Sequence, residues 1–300
     1  MDYKKILLVI NPKAGITRHR YNIFDIIKEF CEHDCITSTL TTLKSGDAVR
    51  FVSENAAEHD MVVCSGGDGT INETVSALLD SKVNIPIGYI PAGSTNDMAR
   101  TLDLPLKPKK SAALIMNGSP KPFDVGLFDG KKYFCYTASF GAFTRVSYST
   151  PQKLKNMFGH FAYVLTGVAK AAEELIPHKV KVKADEYEFE GEFLLGGLFN
   201  AQSVAGLIKL NKCGVDLDDG KFELILVRKP ENADMLYRTI KDLQKQRFSD
   251  DTVIMRRVTQ AEFIFDEPTG WSLDGENGGK VTSVKIQNLK HAVSIFRRDN

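Results

Sequence analysis

The 300-residue sequence lacks both a surplus of charge of one sign and a dense set of cysteines. Lysine and arginine total 39 and aspartate and glutamate total 38, so the net charge is only +1. This balance excludes a nucleic-acid binder that relies on overall positive charge. The five cysteines are scattered, and no two of them have the CxxC spacing of a metal or redox site. We therefore expect free thiols in a reducing cytoplasm and no disulfide framework.

The sequence also lacks a long apolar run. Its longest uncharged stretch, residues 193–208, is shorter than the roughly 20 apolar residues that a spanning helix needs. The run Ile6–Ile10 is too short for the apolar core of a signal peptide. We therefore predict no membrane-spanning segment. With 43% hydrophobic and 26% charged residues, the composition is that of a globular protein with one large domain or two ordinary ones.

The first 125 residues alternate between strand-like and helix-like segments. Ile6–Ile10 is typical of a buried strand, and the apolar residues of 23–30 have the spacing of one helix face. The further predicted strands are Thr37–Thr42, Met61–Cys64 and Ile85–Ile90, and the further predicted helices are Asp47–Glu58, Thr70–Leu79, Thr95–Leu102 and Pro108–Met116. This alternation predicts an α/β domain over residues 1–125, with a parallel sheet flanked by helices. Ligands of such sheets bind in the loops beyond the carboxyl ends of the strands.

After about Phe123 the pattern changes to short runs of alternating polar and apolar residues. They predict a second, mainly antiparallel β domain over residues 126–289. The last residues, about 290–300, either end this domain or return to the first one. Helical insertions are predicted at Pro151–Leu175 and Ala233–Gln246. Residues 179–183 are Lys-Val-Lys-Val-Lys and residues 186–190 are Glu-Tyr-Glu-Phe-Glu, which predicts a hairpin with opposite charges on facing strands.

Three glycine-containing loops follow predicted strands of the first domain. They are Asn11–Gly15, Gly66–Thr70 and Pro91–Asp97. Glycines let phosphate oxygens approach backbone N–H groups, and a following helix adds the partial positive charge of its N-terminus. Surface turns use the same residues, but three such loops at one edge of a sheet favour a phosphate site. The two common nucleotide fingerprints, GxxxxGK[ST] and GxGxxG, are both absent.

An aspartate inside a phosphate loop needs a cation. Asp68 would repel phosphate oxygens unless a metal ion lay between them, so Asp68 and Asp97 predict Mg²⁺ held partly through water. The alternative for Asp97 is that its side chain caps the N-terminus of the following helix.

Four segments resemble the motifs of the diacylglycerol kinase catalytic family. They are Asn11–Gly15, Gly66–Glu73 (GGDGTINE), Pro91–Asp97 (PAGSTND) and Leu273–Gly279 (LDGENGG). GGDGT alone is shared with NAD kinases, whereas the combination is more specific. Residues 147–167 and 217–222 (LDDGKF) resemble the soluble members of the family from Gram-positive bacteria, so the resemblance covers nearly the whole chain. It implies a lipid kinase that transfers the γ-phosphate of ATP to the hydroxyl of diacylglycerol and gives phosphatidate, with the nucleotide between the two domains.

The resemblance also implies which residues hold the cofactors. The implied nucleotide contacts are Asn11, Pro12, Lys13, Ala14, Gly15, Thr42, Gly66, Gly67, Asp68, Gly69, Thr70, Ile71, Asn72, Glu73, Ser94 and Asn96. Asp68, Asp97 and Asp124 are implied to form a network with water and Mg²⁺. A second, structural Mg²⁺ is implied at the Asp219 carboxylate with the backbone carbonyls of Asp216 and Lys221, where composition alone would predict a solvated turn.

Leu273-Asp274-Gly275-Glu276 contains the candidate general base. The attacking hydroxyl must pass its proton to a nearby group, and a carboxylate on a glycine turn suits that task. We assign the role to Asp274, because it begins the motif directly after a predicted strand end. Glu276 remains an alternative, either as the base or as the group that orients it, and a hairpin loop without catalytic function is the third interpretation.

Other functions remain open from the sequence. They are a kinase for another lipid alcohol such as sphingosine or ceramide, an NAD kinase-type enzyme, and a non-catalytic nucleotide- or lipid-sensing module. The presence of Asp68, Asp97, Asp124 and Asp274 together disfavours the last.

We expect a cytoplasmic protein that binds the inner face of the plasma membrane peripherally, without nucleic acid as a partner, and a homodimer is left open. Residues 140–183 hold seven basic and two acidic side chains, which predicts contact with anionic lipid.

Overall fold

The structure of the protein is a computed structural model. It describes residues 3–15, 23–141, 176–201, 203–204, 208–210 and 214–298. The predicted helix Pro151–Leu175 lies outside these described residues. The chain divides into two compact units, one of Met1–Val125 with His291–Asn300 and one of Gly126–Lys290. The change of pattern near Phe123 in the sequence lies next to this division.

The first unit contains four neighbouring strands that run parallel. They are β1 (Lys4–Ile10), β2 (Cys35–Thr41), β3 (Met61–Gly66) and β4 (Ile87–Pro91), in the spatial order β4-β3-β1-β2. The parallel pairing agrees with the alternation of strands and helices in the sequence. Residues 6–10 are all buried, as expected for a strand covered on both faces. The chain returns to this sheet at its end, where Ile295 pairs in parallel with Ile87.

Five α-helices and a short 3₁₀ turn accompany these strands. They are α1 (Ile23–Cys31), α2 (Asp47–Asn55), the turn Ala56–Glu58, α3 (Asp68–Ser81), α4 (Asp97–Thr101) and α5 (Pro108–Asn117). Ile26 and Phe30 of α1 and Ala112 and Ile115 of α5 are buried against one face of the sheet. Each of α3 and α4 begins just after a strand ends, so their N-termini lie at the carboxyl edge of the sheet.

The second unit is built from antiparallel strands. They are β5 (Pro120–Phe128), which begins in the first unit, β6 (Lys132–Phe134), β7 (Thr137–Gly141), β8 (His178–Ala184), β9 (Tyr187–Phe199), β10 (Ser203–Val204), β11 (Ile208–Lys209), β12 (Phe222–Arg228), β13 (Val253–Val258), β14 (Gln260–Leu273) and β15 (Glu276–Phe296), whose last residues lie in the first unit. The main order is β13-β12-β9-β7-β14-β15, and β8 pairs with both β9 and β14. Helix α6 (Ala233–Lys245) matches a predicted insertion.

The predicted charged hairpin is present as β8 and β9. Lys181 lies opposite Glu190, and Lys183 lies opposite Glu188. Behind it, Trp271 is fully buried and packs against Phe140 and Phe263, with ring centroids 5.3 and 5.0 Å from its own. Within the described residues, no helix is long and apolar enough to cross a membrane.

Candidate functional site

The three glycine loops of the first unit meet at the carboxyl edge of its sheet. Gly15 has a positive φ of 66°, and a Cβ there would lie 2.3 Å from the Ala92 carbonyl oxygen. A Cβ on Gly93 would lie 2.6 Å from the Gly67 Cα atom. Side chains at these positions are excluded because the backbones approach so closely. The result is a surface of backbone groups, of the kind that binds phosphate oxygens.

Helix α3 starts directly behind the second of these loops. Gly67 precedes it in an extended conformation, and no side chain caps the helix. The Asn11 backbone N–H donates to the Ser65 carbonyl at 2.8 Å, and the Asn11 side-chain amide donates to the Thr70 hydroxyl at 3.3 Å. The loop after β1 is therefore fixed to the start of α3, whose partial positive charge favours an anion there.

Asp68 holds the third glycine loop in place. Its two carboxylate oxygens accept the backbone N–H groups of Asp97 at 3.1 Å and Met98 at 3.0 Å, so Asp68 of α3 caps helix α4. Asn96, which precedes α4 with a φ of 53°, instead bonds through its side chain to the N–H and carbonyl of Gly93, both at 2.8 Å. The side chain predicted to ligate metal therefore has a structural task in the protein.

The alternative interpretation, in which the Asp97 side chain caps the N-terminus of α4, is wrong, because the Asp68 carboxylate caps that helix. The Asp97 carboxylate pairs instead with the Arg100 guanidinium at 3.0 Å. Burial raises the pKa of Asp97, and the charge of Arg100 acts in the opposite direction. Arg100 was missed in the sequence; its position three residues after Asp97 on a helix is the signal that could have found it.

A fourth loop, Thr42–Gly46 after β2, lies next to the glycine loops. The Lys13 ammonium donates to the Leu43 carbonyl at 2.9 Å, and one Glu73 oxygen accepts from the Ser45 hydroxyl and the Gly46 N–H, each at 2.9 Å. Two implied nucleotide contacts are therefore engaged in holding this loop. Thr70 and Ile71 are buried, and their backbone N–H groups both donate to the Gly67 carbonyl, at 3.0 and 3.2 Å.

Asp47, also missed in the sequence, closes the same loop. Its carboxylate accepts the N–H groups of Leu43 at 2.8 Å and Lys44 at 3.0 Å. These two hydrogen bonds lower the pKa of Asp47. An acidic residue directly after Ser-Gly and before a helical pattern is the signal that could have identified it.

Asp124 is fully buried on β5. Its carboxylate accepts the backbone N–H of His291 at 2.8 Å, which fixes the segment that returns to the first unit. Among the described residues, no group of three acidic, histidine or cysteine side chains could hold a metal ion. The structure therefore does not bring Asp68, Asp97 and Asp124 together as a ligand set formed by the protein alone.

In the second unit, Asp274 is almost completely enclosed. Only 5% of it is exposed, and its carboxylate accepts the backbone N–H groups of Cys135 at 2.6 Å, Tyr136 at 2.9 Å and Thr137 at 2.9 Å. The Tyr136 hydroxyl also donates to the Asp274 carbonyl at 3.0 Å. Three of the roughly four acceptor positions of the carboxylate are thus occupied, which leaves Asp274 little capacity to accept a proton from a substrate. Its assignment as the base stays a prediction that this environment does not favour.

Glu276 has the opposite environment. It is exposed at the start of β15, immediately after the turn that Asp274 fixes, and within the described residues no donor bonds to its carboxylate. Of the two carboxylates that the sequence left in competition, Glu276 is the exposed one and Asp274 the buried one.

The turn predicted to hold a structural metal ion contains an ion pair. One Asp219 oxygen accepts the Lys221 N–H at 2.8 Å, and the other contacts the Arg257 guanidinium. The Arg257 Nε atom lies 3.8 Å from a carboxylate oxygen of Glu223, whose pKa is raised to about 8, chiefly by burial. Arginine thus supplies positive charge where the metal was expected, and a site at Asp216, Asp219 and Lys221 stays a prediction.

Comparisons with known proteins identify related sequences and folds. The family model described as diacylglycerol kinase catalytic domain matches residues 5–128. A diacylglycerol kinase of Bacillus subtilis is 32% identical over 99% of this chain and 97% of its own length. One of Staphylococcus carnosus is 31% identical over 98% of this chain and 95% of its own length.

Solved structures share the fold. The crystal structure of a diacylglycerol kinase from Bacillus anthracis covers 99% of this chain and 98% of its own, with a TM-score of 0.74 and 21% sequence identity. A second structure from the same organism reaches a TM-score of 0.81 at 23% identity over the same shares of the two chains.

Proposed function

The chain belongs to the diacylglycerol kinase family, and from this membership we propose that it transfers the γ-phosphate of ATP to the free hydroxyl of diacylglycerol and so forms phosphatidate. The observation that supports an ATP site is the mutual contact of three glycine loops beside the N-terminus of α3. Such a surface offers backbone N–H donors and helix charge to an anion without a side chain in the way.

The phosphates of ATP would lie on this surface. Asn11–Gly15, Gly66–Glu73 and the Gly93–Asn96 segment would contribute mainly through their backbone. Lys13 and Glu73 would act by holding the Thr42–Gly46 loop, because their side chains already bond to it. Ser94 is exposed in the third loop and is free to face the ligand.

Magnesium would arrive with the nucleotide. Mg²⁺ usually keeps several waters and uses one or two carboxylates together with phosphate oxygens, so a complete protein cage is not required. Asp97 would act as an outer partner of such an ion through water, whereas the fully buried Asp124 would act by holding the segment at His291. Asp68 fits as the residue that positions Asp97, because it binds the Asp97 backbone. The bound ion would neutralise charge on the transferred phosphoryl group.

Glu276 would accept the proton of the attacking hydroxyl. Its exposed carboxylate has no competing donor within the described chain, whereas Asp274 is held by three N–H groups. Asp274 would set the turn from which Glu276 projects. Phosphoryl transfer depends mainly on positioning and charge stabilisation. In this division of roles, Asp274 would position the turn and Glu276 would take the proton.

Diacylglycerol resides in a bilayer, so the protein would work at a membrane surface, on the cytoplasmic side. The basic region of residues 140–183 lies largely outside the described residues. Two of its lysines are paired with acids: Lys179 with Asp266 at 3.1 Å and Lys181 with Glu188 at 2.5 Å. These two are therefore less available to lipid than the sequence suggested.

A panel of acceptors tests the proposal. The protein would be incubated with radiolabelled ATP and Mg²⁺, and with diacylglycerol, ceramide, sphingosine or NAD. We expect label in phosphatidate and little in the other products, and we expect it to require Mg²⁺. Preferred labelling of a sphingoid base or of NAD would contradict the assigned acceptor. Failure to label any acceptor would favour the non-catalytic module.

A further inference from the structure

A lysine-rich surface stands out in the first unit. It consists of Leu106, Lys107, Lys109 and Lys110, and we call it the lysine surface. All four side chains are exposed, Leu106 by 53%. No acidic partner binds the three lysines within the described residues. Residues 104–123 contain four lysines and no aspartate or glutamate, in a protein whose net charge is +1.

These positive charges oppose the local electrostatics. Lys107 precedes α5, Pro108 is its first residue, and the first turn contains no acidic residue. Lysines at a helix N-terminus are unfavourable, because the helix already carries partial positive charge there. The neighbouring Asp103 pairs elsewhere, with Arg298 at 3.4 Å. The surface therefore presents concentrated, uncompensated positive charge, which matches an anionic partner.

The exposure of Leu106 does not come from a loose loop. Leu104 is buried, and its N–H donates to the Ala99 carbonyl at 2.8 Å. The buried Ser111 hydroxyl donates to the Pro105 carbonyl at 2.6 Å, which fixes the loop to α5. The apolar side chain and the lysines are thus held at the surface by contacts on both sides.

The lysine surface lies at the same edge of the sheet as the glycine loops. The end of α5 is at the opposite edge, where the Met116 sulfur is 3.9 Å from the sulfur of Cys35, the first residue of β2. Ile115 likewise packs on Gly88 near the start of β4. Ten helical residues rise about 15 Å, roughly the length of β4, so the beginning of α5 lies at the carboxyl edge.

We propose that the lysine surface docks the protein on anionic lipid headgroups, with Leu106 entering the boundary between headgroups and acyl chains. This inference rests on the proposed function in one respect: a lipid substrate is the reason for the protein to meet a membrane. The three ammonium groups supply the charge complementarity, and the leucine supplies apolar contact at the interface. Docking here turns the carboxyl edge of the first unit, which carries the glycine loops, towards the membrane.

Sedimentation with vesicles tests the docking without requiring catalysis. The full chain would be mixed with phosphatidylglycerol vesicles or with phosphatidylcholine vesicles at low salt. We expect wild type to pellet with the anionic vesicles alone and to be released as salt rises. The variant Lys107→Glu/Lys109→Glu/Lys110→Glu should lose about 100-fold or more in partition to the anionic vesicles. Glutamates suit a helix N-terminus, so the variant should fold.

A matched control keeps the change in total charge equal. Arg238, Lys241 and Lys245 are exposed on α6, and their replacement by glutamate changes the net charge by the same amount. We expect this control to pellet far better than the lysine-surface variant, with thermal melting used to verify that both are folded. Equal pelleting of the two variants, or of wild type and the lysine-surface variant, would overturn the proposal. Binding of wild type to DNA and not to vesicles would also overturn it.

Activity separates this inference from the proposed function. The lysine-surface variant should lose phosphorylation of vesicle-embedded diacylglycerol and keep that of a short-chain, water-soluble diacylglycerol. If wild type phosphorylates neither, the proposed function fails while the sedimentation result still stands by itself. If the variant keeps full activity on vesicles, the docking surface is wrong and the kinase assignment is untouched.

Discussion

The two units use the first aspartate of their glycine motifs in the same way and offer different groups to a ligand. Asp68 in the first unit and Asp274 in the second each bind backbone N–H groups of a distant segment. The first unit leaves the backbone at Gly67 and Gly93 partly exposed, whereas the second exposes the Glu276 side chain. An aspartate in a motif is therefore not automatically a reacting group, and the function proposed above places nucleotide binding on the first unit and proton transfer on the second.

The largest effect should follow from removing the exposed carboxylate. Glu276→Gln should lower kcat by about 10²–10⁴, the usual range for loss of a general base. The free energy of unfolding should stay unchanged, because within the described residues no donor bonds to that carboxylate. Steady-state kinetics and denaturant unfolding measure both quantities. A fully active Glu276→Gln would return the role of base to Asp274.

The next effect concerns stability. Asp274→Ala leaves three backbone N–H groups without an acceptor, those of Cys135 and Tyr136 buried and that of Thr137 partly buried. Each buried group left unsatisfied costs about 1–3 kcal/mol. We therefore expect the free energy of unfolding to fall by about 3 kcal/mol or more, measured in urea. Unchanged stability in this variant, beside Glu276→Gln as the reference, would show that Asp274 does not hold the Cys135–Thr137 segment.

A smaller loss is expected for the corresponding aspartate of the first unit. Asp68→Ala removes the cap of the short helix α4, and loss of a cap typically costs about 0.5–2 kcal/mol. The KM for ATP should also rise, because the third glycine loop loses its anchor. The comparison with Asp274→Ala is sharpened if both are measured under the same conditions. A loss equal to or larger than that of Asp274→Ala would contradict the difference in burial.

The smallest effect is a dependence on pH. The pKa of Asp47 is lowered by the N–H groups of Leu43 and Lys44, so its ionised form stabilises the folded state. That contribution is complete above the usual carboxyl pKa and is lost as the pH falls through the lower folded value. Asp47→Ala should therefore be less stable to heat than wild type at pH 7 and approach wild type as the pH falls below the lowered pKa of Asp47. A constant difference over this pH range would argue against the assigned cause.

Local patterns predicted the elements of the first unit well and the roles of its side chains less well. Helix α3 begins two residues before the predicted segment and ends two after it, and α5 differs from its prediction by one residue. The glycine loops were also identified, because they require no knowledge of distant partners. The sequence could not reveal that Asp68 binds residues 29 and 30 positions later.

The sequence could not show the different environments of Asp274 and Glu276, for the same physical reason. The burial of Asp274 depends on a segment 137 to 139 positions earlier in the chain, which only the packed strands bring to it. The hydrogen bonds of Lys13 and Glu73 could not be predicted either, because their partners lie on the loop after β2. Periodicity reports which face of an element is buried, but it does not report which carboxylate meets the backbone of another strand.

Direct binding of ATP with Mg²⁺ tests the separation of binding from proton transfer most directly. Calorimetric titration would compare Gly93→Ala, whose new Cβ would meet the Gly67 Cα atom at 2.6 Å, with Gly270→Ala, where the new atom meets nothing within 4 Å. We predict that Gly93→Ala weakens ATP binding about 10- to 100-fold, since small displacements of a binding surface are costly, while Gly270→Ala and Glu276→Gln bind ATP as wild type does. Unweakened binding in Gly93→Ala, or lost binding in Glu276→Gln, would contradict the account.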